Sequence, residues 1–144
     1  MNREYYTQSE EELRVVAQEF SHELSGGSFV ALSGSLGAGK TTFSQGLLGA
    51  LGAFGPFSSP TFVIVKHYDL RCSVRDILRV YHIDAYRISS NDLSLVGWEE
   101  MISDKHGVVL LEWPEQISDA VPSCALRVLF EIVNGGQGRR VVFS

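Results

Sequence analysis

The most restrictive stretch of this chain is Gly34-Ser35-Leu36-Gly37-Ala38-Gly39-Lys40-Thr41. It satisfies every fixed position of the phosphate-binding loop G-x-x-x-x-G-K-[ST]. The flanks agree with it. Phe29-Val30-Ala31-Leu32-Ser33 is apolar and reads as a buried strand, and Thr42 to Leu51 carries Phe43, Leu47, Leu48 and Leu51 at helical spacing. A strand, a glycine-rich turn and a helix start suit one chemistry. Glycines let the backbone approach phosphates, and successive N–H groups with a helix N-terminus offer partial positive charge to an anion. Lys40 is placed to reach the β- and γ-phosphates, and the Thr41 hydroxyl to bind Mg²⁺.

Upstream, Ser9-Glu10-Glu11-Glu12 has the capping-box form, and Leu13, Val16, Ala17, Phe20 and Leu24 follow at helical spacing. This predicts a helix over 10–24, ended by Gly26-Gly27. Tyr6-Thr7-Gln8 before it carries no signal of its own. Downstream, residues 52–61 are rich in glycine, proline and serine and read as a loop. Phe62 to Tyr68 and Val80 to Asp84 read as strands, with Asp69 to Arg79 as a turn or excursion between them. Asn91 to Ile102, interrupted by Gly97, reads as one or two short helices. Val108-Val109-Leu110-Leu111-Glu112 is a fully buried strand closed by Pro114. Ala125 to Val133 is a strand with Leu126, Val128, Phe130 and Ile132 on one side. Residues 134–138 form a hairpin turn, and Arg139 to Phe143 is the return strand. The fold class is therefore α/β: a small P-loop NTPase-like three-layer fold whose mixed sheet has a parallel core and antiparallel hairpin additions. Residues 1–144 read as one domain.

An ATP site also needs carboxylates at the ends of neighbouring strands, to hold Mg²⁺ and to position the nucleophile. Asp84 and Glu112 both end apolar strands, and Glu112 is the stronger Walker-B-like candidate. Thr61, in a Ser-Pro-Thr turn, has the chemistry of a switch-loop threonine. His82 shares the face of Asp84 and reads as a core histidine or as a partner behind the site. Trp113 packs at the core edge or stacks on a ligand, and Arg87 is a surface arginine or a phosphate contact. The net charge of −5 argues against a broad nucleic-acid-binding face on this chain alone. Cys72 and Cys124 lack CxxC spacing and read as reduced thiols. No apolar run approaches a membrane span and the N-terminus has no signal pattern, so the expected location is cytoplasmic.

Taken together, the phosphate loop through Thr42-Phe43, Ser59-Pro60-Thr61-Phe62, Tyr81-His82-Ile83-Asp84-Ala85-Tyr86-Arg87, Gly97-Trp98-Glu99-Glu100 and Leu111-Glu112-Trp113-Pro114-Glu115 resemble the TsaE (YjeE) family in order and spacing, over residues 5–133. The resemblance implies a small bacterial Mg-ATPase needed for threonylcarbamoyladenosine (t6A) on tRNAs reading codons that start with adenine. It implies TsaD and TsaB as partners, with tRNA contacted only indirectly through the complex and no membrane. It implies hydrolysis that is slow alone and rises with the partners, resetting the TsaD–TsaB pair while transfer occurs on TsaD. By motif, Gly34, Gly37, Ala38, Gly39, Lys40, Thr41 and Thr42 would hold ATP. Thr41 and Glu112 would hold Mg²⁺, and Thr61 and Asp84 would lie at the γ-phosphate. Lys40, Thr61, Asp84 and Glu112 form the catalytic set that follows. Gln8 and Glu10 match the adenine-side segment more loosely. Ser35 departs from the aspartate of many members, and the 69–79 excursion is longer than usual.

Three other readings compete. A small-molecule kinase needs an acceptor pocket and an arginine-bearing lid, for which the sequence offers only Arg139-Arg140. A GTPase needs an [NT]KxD segment, and the sequence contains none. A nucleotide-sensing subunit that barely turns ATP over shares nearly all the same signals.

Overall fold

The structure, a computed structural model, describes residues 2–57 and 64–144. Among the described residues seven strands form one mixed sheet. They are β1 (Arg3–Thr7), β2 (Phe29–Gly34), β3 (Val65–Val74), β4 (Ile77–Asp84), β5 (Gly107–Glu112), β6 (Leu126–Val133) and β7 (Gly138–Phe143), in the spatial order β1-β7-β6-β2-β5-β4-β3. β6, β2, β5 and β4 run parallel at the centre, while β7 and β3 pair antiparallel with β6 and β4. This is the parallel core with hairpin additions that the sequence predicts. The central strand β2 is buried on both faces. Val30 and Leu32 point to the side carrying α1 (Glu10–Ser21) and α2 (Lys40–Leu51). Phe29 and Ala31 point to the side covered by α3 (Trp98–Ile102) and the short 3₁₀ segments Ser90–Val96 and Pro114–Ala120. That double burial explains why β2 and β5 read as continuous apolar runs rather than alternating ones.

Helix α1 starts as predicted: the Ser9 hydroxyl accepts from the Glu12 N–H at 3.1 Å. The Glu12 carboxylate returns to the N–H of Gln8, at 2.6 Å, and so fixes the segment that joins β1 to α1. The helix ends at Ser21, short of the expected Leu24. Its last N–H groups turn to three-residue bonds, Glu23 to Phe20 and Leu24 to Ser21, and Arg75 Nε and Nη2 donate to the Leu24 and Ser21 carbonyls. Arg75 comes from the stretch read as an excursion, which is in fact ordered hairpin. β3 runs to Val74, turns over Arg75 and Asp76 at positive φ, and returns as β4 from Ile77. Two adjacent positive-φ residues suit the right-handed twist of a tight hairpin. Charged residues at alternate, exposed positions of an edge strand masked it in the sequence.

Strand β1, silent in the sequence, lies at the other edge, antiparallel to β7. The two short segments before β5, with Gly97 at positive φ between them, match expectation. β6 and β7 form the expected hairpin. Val128 and Phe130 are buried, whereas Ile132 is exposed near its turn. Both cysteines are free and exposed, and among the described residues no helix is long and apolar enough to cross a membrane.

Candidate functional site

β2 delivers its chain to the helix α2 through Ser35 to Gly39, and this turn forms the floor of a cavity of about 480 Å³. Two glycines make the turn possible. Gly34 has φ 152°, and a Cβ there would meet the Phe130 carbonyl at 2.6 Å. Gly39 has φ 116°, and a Cβ there would meet Leu13 at 2.7 Å. At these two positions the loop is closed in by β6 and by Leu13 of α1, and both need the positive φ that glycine tolerates. No side chain caps the N-terminus of α2, so its first N–H groups are left to the cavity that residues 37–42 line.

The carboxylates come from the far side. Parallel register sets Asp84 of β4 directly against Glu112 of β5, and both line the cavity. Asp84 Oδ1 accepts from the Tyr86 N–H at 2.9 Å, and Glu112 Oε2 lies 2.6 Å from His82 Nε2. Lys40 is only 5% exposed. Its ammonium donates to the Gly34 carbonyl and, at 3.2 Å, to that of Ser35, and it sits 4.1 Å from the centre of the Trp113 ring. Burial pulls its pKa below the ordinary lysine value, against the pull of the Glu112, Glu115 and Asp84 carboxylates. Trp113 takes a left-handed backbone, φ 61° and ψ 50°, immediately after β5, and Tyr86 braces its ring at 5.0 Å.

The cavity therefore brings together Glu10, Gly37, Ala38, Gly39, Lys40, Thr41, Thr42, Asp84 and Glu112 of the sequence candidates, with Arg87 and Trp113 on its wall. Gly34 lies behind the loop as the Lys40 acceptor. Gln8 lines an adjoining hollow of about 230 Å³, shared with Glu10, Gly136, Gln137 and Arg139. Thr61 and the Ser-Pro-Thr turn lie outside the described residues. Sequence reasoning missed Leu36, which is 87% exposed on the rim, and named Arg139 only as a lid candidate in the kinase reading, whereas its Nη2 donates to the Gly37 carbonyl at 3.0 Å. A hairpin turn just before Arg139 was visible, but nothing local says that this turn reaches the loop.

The donor set suits a hard cation. The Thr41 hydroxyl and the Asp84 and Glu112 carboxylates are oxygen donors on one cavity, of the kind Mg²⁺ prefers. Among the described residues no three His, Cys, Asp or Glu side chains cluster to hold a metal, so the rest of the shell would be phosphate oxygen and water.

The sequence model of the family described as "Threonylcarbamoyl adenosine biosynthesis protein TsaE" matches residues 7–141. The chain belongs to the TsaE family. A TsaE from Borreliella burgdorferi is 37% identical over 131 residues, covering 90% of this chain and 91% of that one. A TsaE from Bacillus subtilis is 33% identical over 138 residues, covering 96% of this chain and 82% of that one. Both carry the name tRNA threonylcarbamoyladenosine biosynthesis protein TsaE. The crystal structure of YdiB from Bacillus subtilis superposes with a TM-score of 0.80 at 27% identity, covering 99% of this chain and 84% of that one. The family membership accounts for the P-loop NTPase-like α/β fold and marks the chain as a member of a nucleotide-binding family.

Proposed function

We propose that this chain is a partner-dependent Mg-ATPase of t6A biosynthesis, acting with TsaD and TsaB on tRNAs that read codons starting with adenine. One observation carries the reading. In a TsaE-family chain, the glycine loop, Lys40, Thr41 and the facing pair Asp84–Glu112 converge on one cavity of nucleotide size. In this reading residues 1–144 form one ATPase domain that works in the cytoplasm and meets tRNA only through its partners.

The roles follow from position. The residue 37–42 backbone and Lys40 hold the phosphates, for which Lys40 must leave the Gly34 and Ser35 carbonyls. Thr41 and Glu112 hold Mg²⁺, which would neutralise charge on the β- and γ-phosphates. Asp84 serves the γ-phosphate side, where a carboxylate orients the attacking water; Thr61, outside the described residues, is assigned to the same side by the family resemblance alone. Gln8 and Glu10 line the side that would take adenine. The Trp113 face and the exposed Leu36 border the mouth, where a partner would sense the bound state.

The test is ATP hydrolysis by the purified chain, alone and with cognate TsaD and TsaB, with the fate of labelled γ-phosphate followed. Slow turnover alone and strong stimulation by the pair is the expected result. Phosphate passing to an acceptor other than water would replace this reading with a kinase. Tight binding with no turnover under either condition would replace it with a nucleotide-sensing subunit.

A further inference from the structure

His82 is a deeply buried polar group next to the cavity, at 1% exposure, yet it does not line it. Three aliphatic neighbours on its face, Val80, Val108 and Leu110, belong to the core between the sheet and α1 and α2, while Lys66 of β3 lies opposite it on the other side. A leucine or valine would fit that pattern. A ring placed there must give up water on both nitrogens, which is costly unless something is gained. The register shows what is gained. Leu110 lies opposite His82 and Glu112 opposite Asp84, so His82 reaches Glu112 along the diagonal between the two strands. The contact is 2.6 Å between Nε2 and Oε2, with the side chains 2% and 5% exposed. Nδ1 is buried and has no hydrogen-bond partner among the described residues.

An ionised carboxylate oxygen only accepts, so in this contact Nε2 is the donor and Glu112 Oε2 the acceptor. Among the described residues the ring makes one hydrogen bond, and that bond goes to the carboxylate expected to meet the metal. We infer that His82 is a positioning residue: its Nε2–H pins Glu112 Oε2 and holds the carboxylate in the orientation that a magnesium ion on Thr41 requires. This rests on the reading of Glu112 as a metal-side residue. A free glutamate samples several rotamers, whereas Mg²⁺ demands near-octahedral geometry and tolerates misplacement poorly. Hydrogen bonds to a ligating group from behind are commonly worth about 10–100-fold in metal affinity or activity. The sequence signal is His-x-Asp on a strand that lies beside one ending in Glu.

The experiment measures ADP binding by calorimetry, in EDTA and across a Mg²⁺ titration, for wild type, His82→Leu, His82→Gln and Glu112→Gln. In EDTA, His82→Leu should bind ADP within about twofold of wild type, because the loop contacts are intact, while its Mg²⁺ half-saturation rises about tenfold or more. His82→Gln keeps an N–H donor and should recover most of that loss. Glu112→Gln should abolish the Mg²⁺ response, and adding His82→Leu to it should change nothing further. Unchanged half-saturation in His82→Leu, with the response lost in Glu112→Gln, overturns the role of His82 and leaves the Glu112 reading standing. A normal Mg²⁺ response in Glu112→Gln overturns both. Failure of His82→Gln to recover any of the loss reduces His82 to packing and overturns the inference. A further readout needs no variant: ¹⁵N spectra of the wild-type imidazole should show a proton on Nε2, and a ring without one there overturns the assignment.

Discussion

Strands β4 and β5 carry charge at both ends, and the two ends treat it differently. Where the strands begin, Asp104 is saturated. Its Oδ2 accepts from the Tyr81 hydroxyl at 2.5 Å and from Arg79 at 2.6 Å, and its Oδ1 accepts from the His106 N–H at 2.9 Å. Where they finish, Glu112 receives one hydrogen bond among the described residues, from His82, and Asp84 receives one, from Tyr86. Lys40 rests on backbone carbonyls and an indole face and forms no ion pair among the described residues. A saturated carboxylate contributes to the fold and has nothing left to offer a ligand. Half-satisfied charges around a cavity cost stability and are repaired only by what binds there. The same two strands therefore serve stability at one end and chemistry at the other.

The comparison breaks most sharply at Lys40. Lys40→Ala should weaken ADP binding by about 100-fold, on the order of two lost charge-assisted hydrogen bonds, and leave folding stability nearly intact. Calorimetry beside thermal melting checks both halves. A variant that melts early but still binds ADP normally would invert the assignment of the two ends. Next in size is the gain on filling the open end. At about 100 times its dissociation constant, Mg·ADP should stabilise the wild type by about 2.7 kcal/mol, seen as a raised melting temperature that Lys40→Ala does not show.

Asp104→Asn addresses the saturated end. It should cost about 2 kcal/mol in urea unfolding at neutral pH, because Arg79 loses its charged partner, while ADP affinity stays at the wild-type value. The same site carries a pH signature. Burial pushes the Asp104 carboxyl up, but the bonds from Tyr81, the His106 N–H and Arg79 outweigh it and hold it at about 2, below the ordinary 3.8. A depressed pKa adds stability that is fully present above the unfolded value and is lost as pH falls through the folded one. Wild type should therefore lose on the order of 1 kcal/mol more than Asp104→Asn between about pH 4 and pH 2, allowing for solvent screening. An identical acid limb in the two proteins would remove Asp104 from the stabilising set. Smallest is Ser9→Ala, which removes the cap of α1 and should cost about 1 kcal/mol in melting. It sharpens the contrast by altering the edge of the cavity, near Glu10, without touching a charge.

Much of the site was legible because its signals are local. Eight consecutive residues specify the loop, and four aliphatic residues running into Glu112 specify a buried strand with a carboxylate at its end. The Ser9 cap, the break at Gly97 and the β6–β7 hairpin were visible for the same reason: each depends on residues within one turn or one pair of strands. Tertiary structure decided the rest. β1 is a strand only because β7 offers it an antiparallel partner more than 130 residues later in the chain. The second half of β3, from Asp69, reads as a charged excursion because an edge strand carries polar residues at its exposed positions. The bond between His82 and Glu112, the Lys40 ammonium over Trp113 and the Arg139 grip on Gly37 each join residues whose separation in sequence says nothing of their distance in space. Short-range periodicity and turn chemistry are written residue by residue, whereas which elements meet, and in what register, follows from packing the whole chain around two faces of one sheet.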